Sequence, residues 1–472
     1  MTGMILRKPL PLALALVLAA GLAGCATPVP EVNGVAVPAA YGRGDPQINA
    51  PVEALGLAAD HPARTVAADP WWQGFGDPRL DRLVAQVLTV NTDLAAAGLR
   101  LRQARLQAGL ADHALWPQPS GSVSSSGSRA IDRGDEVRRG NSVSVSLGWE
   151  VDLWGRLRAQ RDVAGWEASA SAEDLENTAL LLVTEACRQY WQLAFLNQRI
   201  ATGEANLERL RQIEALVKVQ FDAGAVSLLE VREAEQSLDS QRVAQSQLRQ
   251  QRVEARNAIT LLLDGNPWPL ADEPHDLGAA ASLAVREGLP SELLGRRPDL
   301  RAAELRLRKA LAAIDATARS YYPALTLTGA VGSSATSLGQ VLENPVATLG
   351  AGLSLPFLDW RERQLDVELA GTGYEIAAND FRSTLYTALS EVDNALSARQ
   401  QLVAQVAAAE RSLRAAEDVE RMYQVRYQAG ASDLRTWLDA QQSRRDAELA
   451  FAQARLGQLV NDGVLVLALG GS

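Results

Sequence analysis

The chain of 472 residues carries a formal charge of −10 at neutral pH and only two cysteines, Cys25 and Cys187. An acidic balance argues against a nucleic-acid binder, and two cysteines cannot build a disulfide framework. Two or three ordinary domains would fit this length, yet no linker divides the chain, and an internal repeat takes the place of a domain count.

At the start, Arg7 and Lys8 precede an apolar run from Leu10 to Ala20, followed by Leu22-Ala23-Gly24-Cys25. The run is too short for a membrane-spanning helix and reads as a secretory leader over residues 1–24. Small residues ending at a cysteine resemble a bacterial lipoprotein box. The resemblance implies cleavage before Cys25, lipid on its thiol and, because Ala26 is not aspartate, delivery to the outer membrane. Loss of Arg7 and Lys8 takes the net charge from −10 to −12. Residues 25–76, rich in Pro, Ala and Gly without periodicity, are expected to form an extended strap.

The first structural unit is expected over residues 77–263. Leu80, Leu83, Val84, Val87 and Leu88 share one helical face, and that helix is expected to run unbroken to about Leu115, where Trp116-Pro117 stops it. A Ser/Gly-rich stretch to Ser128 and a charged loop, Arg129 to Arg139, follow. Val143, Val145, Leu147, Trp149 and Val151 then alternate with polar or small residues, the two-residue period of a strand. The two segments read as a hairpin. From Arg156 to Asp222 there is no proline and only two glycines, which predicts a helix about 100 Å long at 1.5 Å per residue. A turn at Gly224 leads into a shorter helix ending near Leu263. Cys187 falls in the long helix and reads as incidental.

After a linker over 264–282, residues 283–472 repeat the whole pattern at a constant offset of 206. Leu99-Arg100-Leu101-Arg102 recurs as Leu305-Arg306-Leu307-Arg308, Trp116-Pro117 as Tyr322-Pro323, Trp154 as Trp360, and Ala223-Gly224-Ala225 as Ala429-Gly430-Ala431. Positions 91 to 117 hold ten identities with their counterparts, where random pairing would give about two. The second hairpin is expected over 323–332 and 348–357. Four strands cannot close a barrel, and an open sheet edge is not tolerated in lipid. The fold class expected is therefore mainly α with a membrane β-barrel: an internally duplicated long-helix α-barrel protomer, giving four strands to a trimeric 12-stranded barrel. Trp116, Trp149, Tyr321 and Tyr322 lie at strand-to-helix junctions and read as an aromatic belt at one membrane interface. For Trp154 and Trp360 the belt and packing within protein remain equally open.

The lipobox, Trp71-Trp72 before Phe75-Gly76-Asp77-Pro78, Asn91-Thr92-Asp93-Leu94, Arg296-Arg297-Pro298-Asp299-Leu300 and the paired Ala-Gly-Ala turns resemble the outer membrane factor family. The likeness is to the lipoprotein branch of TolC-like channels, of the OprM and NodT type, and it covers nearly the whole mature chain. It implies a passive outer membrane duct of a tripartite efflux system of the RND type, partnered by a second and third copy, a periplasmic adaptor, an inner membrane pump and outer membrane lipid. The glycine turns would be the periplasmic tips. Adaptor docking maps to Phe221, Ala223, Gly224, Ala225 and Ser227, and to Tyr427, Ala429, Gly430, Ala431 and Asp433. Pore-gate positions map to Glu230 and Glu233, to Thr436 and Asp439, and to a latch between Tyr427 and Glu230. Where the best-matched gate pattern has an arginine this chain has Ser432, a departure that speaks against an arginine-based gate.

No cofactor beyond the lipid is expected. His61, His113 and His275 are isolated, without metal spacing or a nucleophile motif, so no enzyme is expected. The alternatives are a duct for type I protein secretion or for metal efflux and, in a different class, a lipidated periplasmic adaptor. An adaptor would carry one helical hairpin rather than two.

Overall fold

The computed structural model describes residues 70–129, 137–278, 283 and 293–471. The leader, Cys25, His61, most of the strap and the end of the inter-repeat linker lie outside the described residues. The end of the strap is not extended: Trp71–Phe75 is a turn of 3-10 helix. It is held because Trp72 and Phe75 are buried, with Phe75 edge-on to Trp191 at 5.5 Å.

Helix α1, Pro78–Val90, starts on Asp77, whose carboxylate accepts from the Arg79 backbone N–H and from the Tyr190 hydroxyl. Leu80, Leu83, Val84 and Val87 form its fully buried stripe. Helix α2, Thr92–His113, is separate, which corrects the single helix expected over this stretch. At Asn91 the backbone is extended, and the side-chain oxygen accepts from the N–H groups of Asp93 and Leu94. Its amide nitrogen donates to the Leu262 carbonyl at 3.0 Å.

Strands β1, Gln118–Ser128, and β2, Arg138–Val151, form the first hairpin. Helix α3, Arg156–Asp222, is the long helix, and α4, Leu228–Leu262, returns along it. The first described elements of the second unit are a single helical turn, Leu293–Arg296, and α5, Pro298–Ser320. Strands β3, Ala324–Ala335, and β4, Pro345–Ser354, the long helix α6, Trp360–Gln428, and α7, Leu434–Ala468, complete it. β4 ends earlier than expected because Pro356, which has no N–H to give the ladder, opens a 3-10 turn over Pro356–Leu358.

The break between the opening helices recurs with a different side chain. Arg297, offset by 206 from Asn91, is also extended, and its guanidinium donates to the Ala468 carbonyl at 3.1 Å. Ala468 is in turn the counterpart of Leu262. In both repeats a buried polar side chain closes an orphan carbonyl at the end of the short returning helix. Arg297 also pairs with Asp299 at 2.7 Å and Glu391 at 2.8 Å.

The helices form a single wall. α2 packs on α3, α3 on α5 and α5 on α6 in one half; α4 packs on α3, α3 on α7 and α7 on α6 in the other. α2 and α4 thus share one edge of the wall, and α6 forms the other. Burial follows position: twenty-four residues of α3 are buried, against four of α6. Cys187 sits inside the α3 core with its thiol pushed up by burial. Arg297→Ala removes one buried anchor and should cost about 2 kcal/mol, read as a lower midpoint of thermal unfolding in detergent; an unchanged midpoint would show that the carbonyl closure contributes nothing.

Candidate functional site: the two-faced sheet and the helical tips

The four strands form one antiparallel sheet in the order β1-β2-β3-β4. Both hairpins share one register: Gln118 faces Gly148 in the first, and their counterparts Ala324 and Ser354 face each other in the second. Alternation sorts the side chains cleanly. One face carries Val123, Val145, Leu147, Val331, Leu349 and Leu353, all largely exposed, with Leu349 91% open. The other carries mostly serine, threonine and glycine, with Glu150, Ala330 and Val346 among them. Across β1 and β2, Ser120 pairs with Ser146, Ser122 with Ser144 and Ser124 with Ser142, with hydroxyl oxygens 2.7–2.8 Å apart.

An apolar outer face and a small polar inner face at strand lengths of 11, 14, 12 and 10 residues is the arrangement of a membrane β-barrel wall. Among the described residues no helix is long and apolar enough to cross a membrane. β1 and β4 each present one unpaired edge.

The junction aromatics divide. Trp116 is 64% exposed, and Trp149 is part-exposed with its indole N–H on the Leu115 carbonyl. Trp154 instead donates to the Pro323 carbonyl at 2.9 Å and packs edge-on to Tyr322. Tyr321 departs from expectation: it is buried, and its hydroxyl donates to Asp366 at 2.6 Å, so its ring meets protein rather than lipid.

At the far end of the wall the long helices finish in matched turns. Gly224 and Gly430 have φ of +75° and +69°, the left-handed geometry that glycine adopts without strain. Ala225 N–H bonds the Gln220 carbonyl and Ala431 N–H bonds the Arg426 carbonyl, each at 2.8 Å, closing a Schellman turn at each tip. Ser227 then caps α4 in a capping box whose return arm is the Glu230 carboxylate, 3.0 Å from the Ser227 N–H. Asp433 caps α7 through the Thr436 N–H at 2.7 Å. Hydrogen bonds from Ser227 hold the Glu230 carboxyl below its ordinary range, and those from Thr436 do the same for Asp433. A depressed carboxyl pKa stabilises the caps above the ordinary carboxylate range, and the effect is lost as the pH falls below it.

Glu230 and Tyr427 are not hydrogen-bonded to each other within the chain. The Tyr427 hydroxyl donates to Gln220 Oε1 at 3.1 Å, and its ring stacks on Trp437 at 5.1 Å. Burial raises the phenol pKa, with the nearby Glu230 charge adding to the effect. Glu233 and Asp439 do meet one feature: they stand on α4 and α7 across an open groove of about 630 Å³ floored by α3, which Arg435 and Arg445 of α7 also line. Thr436 and Glu230 are not part of it. The expected positions omitted Glu420, a buried carboxylate bridging Arg209 at 3.3 Å and Arg444 at 2.5 Å and so tying α3, α6 and α7 together above the tips. Its counterpart Glu214 makes only a surface pair with Lys218, so the repeat gave no signal. Among the described residues no group of three or more His, Cys, Asp or Glu is placed to hold a metal.

Comparison with known proteins agrees with this geometry. A family model described as outer membrane efflux protein matches twice, over residues 83–265 and 289–471. The chain belongs to the outer membrane efflux protein family. The second match is displaced from the first by the same 206 residues. The chain is 30% identical over 440 residues to the pyoverdine export outer membrane protein OpmQ of Pseudomonas aeruginosa, covering 88% of this chain and 92% of that one. It is 28% identical over 407 residues to the toxin and drug export protein A of Aggregatibacter actinomycetemcomitans, covering 85% and 88%. Against the open state of the Neisseria gonorrhoeae MtrE outer membrane channel it has a TM-score of 0.77 at 28% identity, over 84% of this chain and 89% of that one. This efflux-family chain is an outer membrane channel component, with its strands in the membrane and its helical wall in the periplasm.

At Gly224 and Gly430 an added Cβ meets nothing within 4 Å, so alanine at either position is opposed only by the left-handed backbone, at about 1 kcal/mol. The expected result is faster hydrogen exchange at Ala225 and Ala431 with unchanged exchange in the α1 and α3 core; equal protection at both tips would contradict the turn assignment.

Proposed function

We propose that three copies close into one duct, a twelve-stranded barrel above a helical tube, which passively exports small molecules as the outer membrane element of a tripartite pump of the RND type. The observation that carries this reading is the two-faced sheet with both edges unpaired, continuous with a wall whose helices end in two equivalent tips. In lipid each unpaired N–H and C=O costs several kcal/mol, so closure by further copies satisfies what one chain leaves open. The duct needs no cofactor and no catalysis.

Within this reading the tips, Phe221 to Ser227 and Tyr427 to Asp433, are the docking points for the periplasmic adaptor, where Ala223, Ala225, Ala429 and Ala431 permit close approach. Gating is assigned to the ties across the lower wall. Tyr427 holds the second tip to Gln220 beside the first, and Glu420 holds the hairpins together above it. Asp439 and Glu233 supply negative charge; related copies of Asp439 around a narrow axis would favour cations. Thr436 and Glu230 remain assigned to the gate, Glu230 reaching Tyr427 only if it leaves Ser227. Lipid on Cys25 anchors the strap. Export of polypeptide is the second reading, favoured by the similarity to a protein named for both toxin and drug export.

Single-channel recording of the purified protein in a planar bilayer tests the duct. The wild type should show a small, cation-preferring conductance, Asp439→Ala should lose most of that preference, and Tyr427→Phe should raise open probability by roughly two- to tenfold, the worth of one hydrogen bond. A monomer without conductance would return the chain to the adaptor class. Separately, metabolic labelling with radioactive palmitate should mark the wild type and not Cys25→Ser; equal labelling would place the lipid elsewhere or nowhere.

A further inference from the structure

The duplication specifies how neighbouring copies meet. Inside the chain, the second repeat already covers the first: α5 packs on α3, and β3 pairs with β2. The corresponding face of the second repeat, on α6 and β4, has no cover. We infer that it receives α2 and β1 of a second copy of this chain in the register set by the offset of 206 residues, with Arg100 of one copy paired to Asp380 of the next. This rests on the closed ring proposed above.

Apolar burial supports the assignment. Ala159, Ala170 and Leu180 of α3 are 6%, 0% and 4% exposed, while their counterparts on α6, Leu365, Ile376 and Tyr386, are larger and 49%, 57% and 63% exposed. The same positions are core in one repeat and open in the other, so what covers the first has an equivalent that covers the second. A surface of this kind marks an interaction site.

Charge selects the pair. In the seam within the chain, Arg306 is paired with Asp174, Arg301 with Glu173 and Glu176, and Lys309 with Glu167. Carried across by the offset, Arg301 and Lys309 become Ala95 and Gln103, whereas Arg306 and Asp174 become Arg100 and Asp380. Only that pair keeps both partners and both signs.

The strands extend the same rule. Trp149 pairs with Leu327 and Ser146 with Ala330; the equivalent ladder sets Gly352 against Ser124, and Leu353 against Val123, of the next copy. Both pairs keep their face of the sheet, apolar on apolar and small polar on small polar. At the junction, Trp154 rests on Tyr322 and donates to the Pro323 carbonyl. The counterpart is Trp360, 68% exposed, on Trp116, 64% exposed, with its indole N–H on the Pro117 carbonyl of the neighbour. Two tryptophans that face solvent in the single chain thereby become a clasp between copies.

The test uses full-length protein in its native membrane. Directly opposed residues of an antiparallel pair lie within disulfide reach, so Ser124→Cys with Gly352→Cys should give covalent dimers and trimers under mild oxidation. Ser124→Cys with Thr348→Cys, four residues out of register, should give none. Cross-linking by the second pair, or by neither, overturns the register. Independently, Arg100→Asp and Asp380→Arg should each lower the temperature at which the oligomer dissociates in detergent, and the double variant should recover most of the loss; additive losses overturn the ion pair. Cross-linking in protein that fails to conduct would leave the seam standing and remove the duct reading alone.

Discussion

Everything else in this molecule depends on the unsatisfied backbone at the two edges of one sheet. A strand edge facing water is a liability that charge or a bulge can blunt, but an edge facing hydrocarbon has no such remedy. Here the edges belong to β1, which from Ser120 to Ser128 is serine, glycine and one valine, and to β4, whose exposed face carries Leu349 and Leu353. Neither edge carries an inward charge or a covering helix. The apolar face rules out a stable position in water, and the open edges rule out a stable single copy in lipid, so the only remaining state is a closed ring.

Closure by copies demands equal heights, which duplication supplies. The long helices have 67 and 69 residues and the returning helices 35 each, so hairpins from either repeat reach the same level at both ends. The residues that secure the joints need not be the same, only the contact. Asn91 and Arg297 close the carbonyls of Leu262 and Ala468 with unrelated side chains, and Ser227 and Asp433 cap the returning helices by different means. The shared geometry of each joint is kept while its chemistry drifts.

The sequence made the fold legible where periodicity is strong and local. The two-residue alternation from Val143 to Val151, the proline stops at Pro117 and Pro323 and the glycine turns each have one physical meaning, and each lies where expected. The division between α1 and α2 was written in Asn91-Thr92-Asp93 as a cap, and in Pro298 of the second copy, but an unbroken apolar stripe masked it. Ser227-x-x-Glu230 likewise carries the capping-box pattern, which gives the Glu230 carboxylate a backbone partner before any part in a gate. Tyr321 and Glu420 were beyond any local reading. Whether a ring faces lipid or Asp366, and whether a glutamate is solvated or bridges two arginines, is decided by helices far away in the chain.

The two repeats also differ in a way that bears on how such a ring can move. The seam between α3 and α5 is fastened by directional contacts, with three basic residues each aimed at a carboxylate. The equivalent seam at α6 has Gly373 where Glu167 stands and Asn379 where Glu173 stands, and the space around Gly373 is open. Its strength must come mainly from burying Leu365, Ile376 and Tyr386. Burial of apolar area is non-directional, so it tolerates a helix sliding along its neighbour, whereas an ion pair loses most of its attraction once its geometry is disturbed. The joints within each chain are therefore the stiff ones and the joints between chains the compliant ones. A ring built on that alternation would yield first between chains, while Tyr427 with Gln220, and Glu420 with Arg209 and Arg444, are the ties that hold the two hairpins of each chain together and whose release would free the tips.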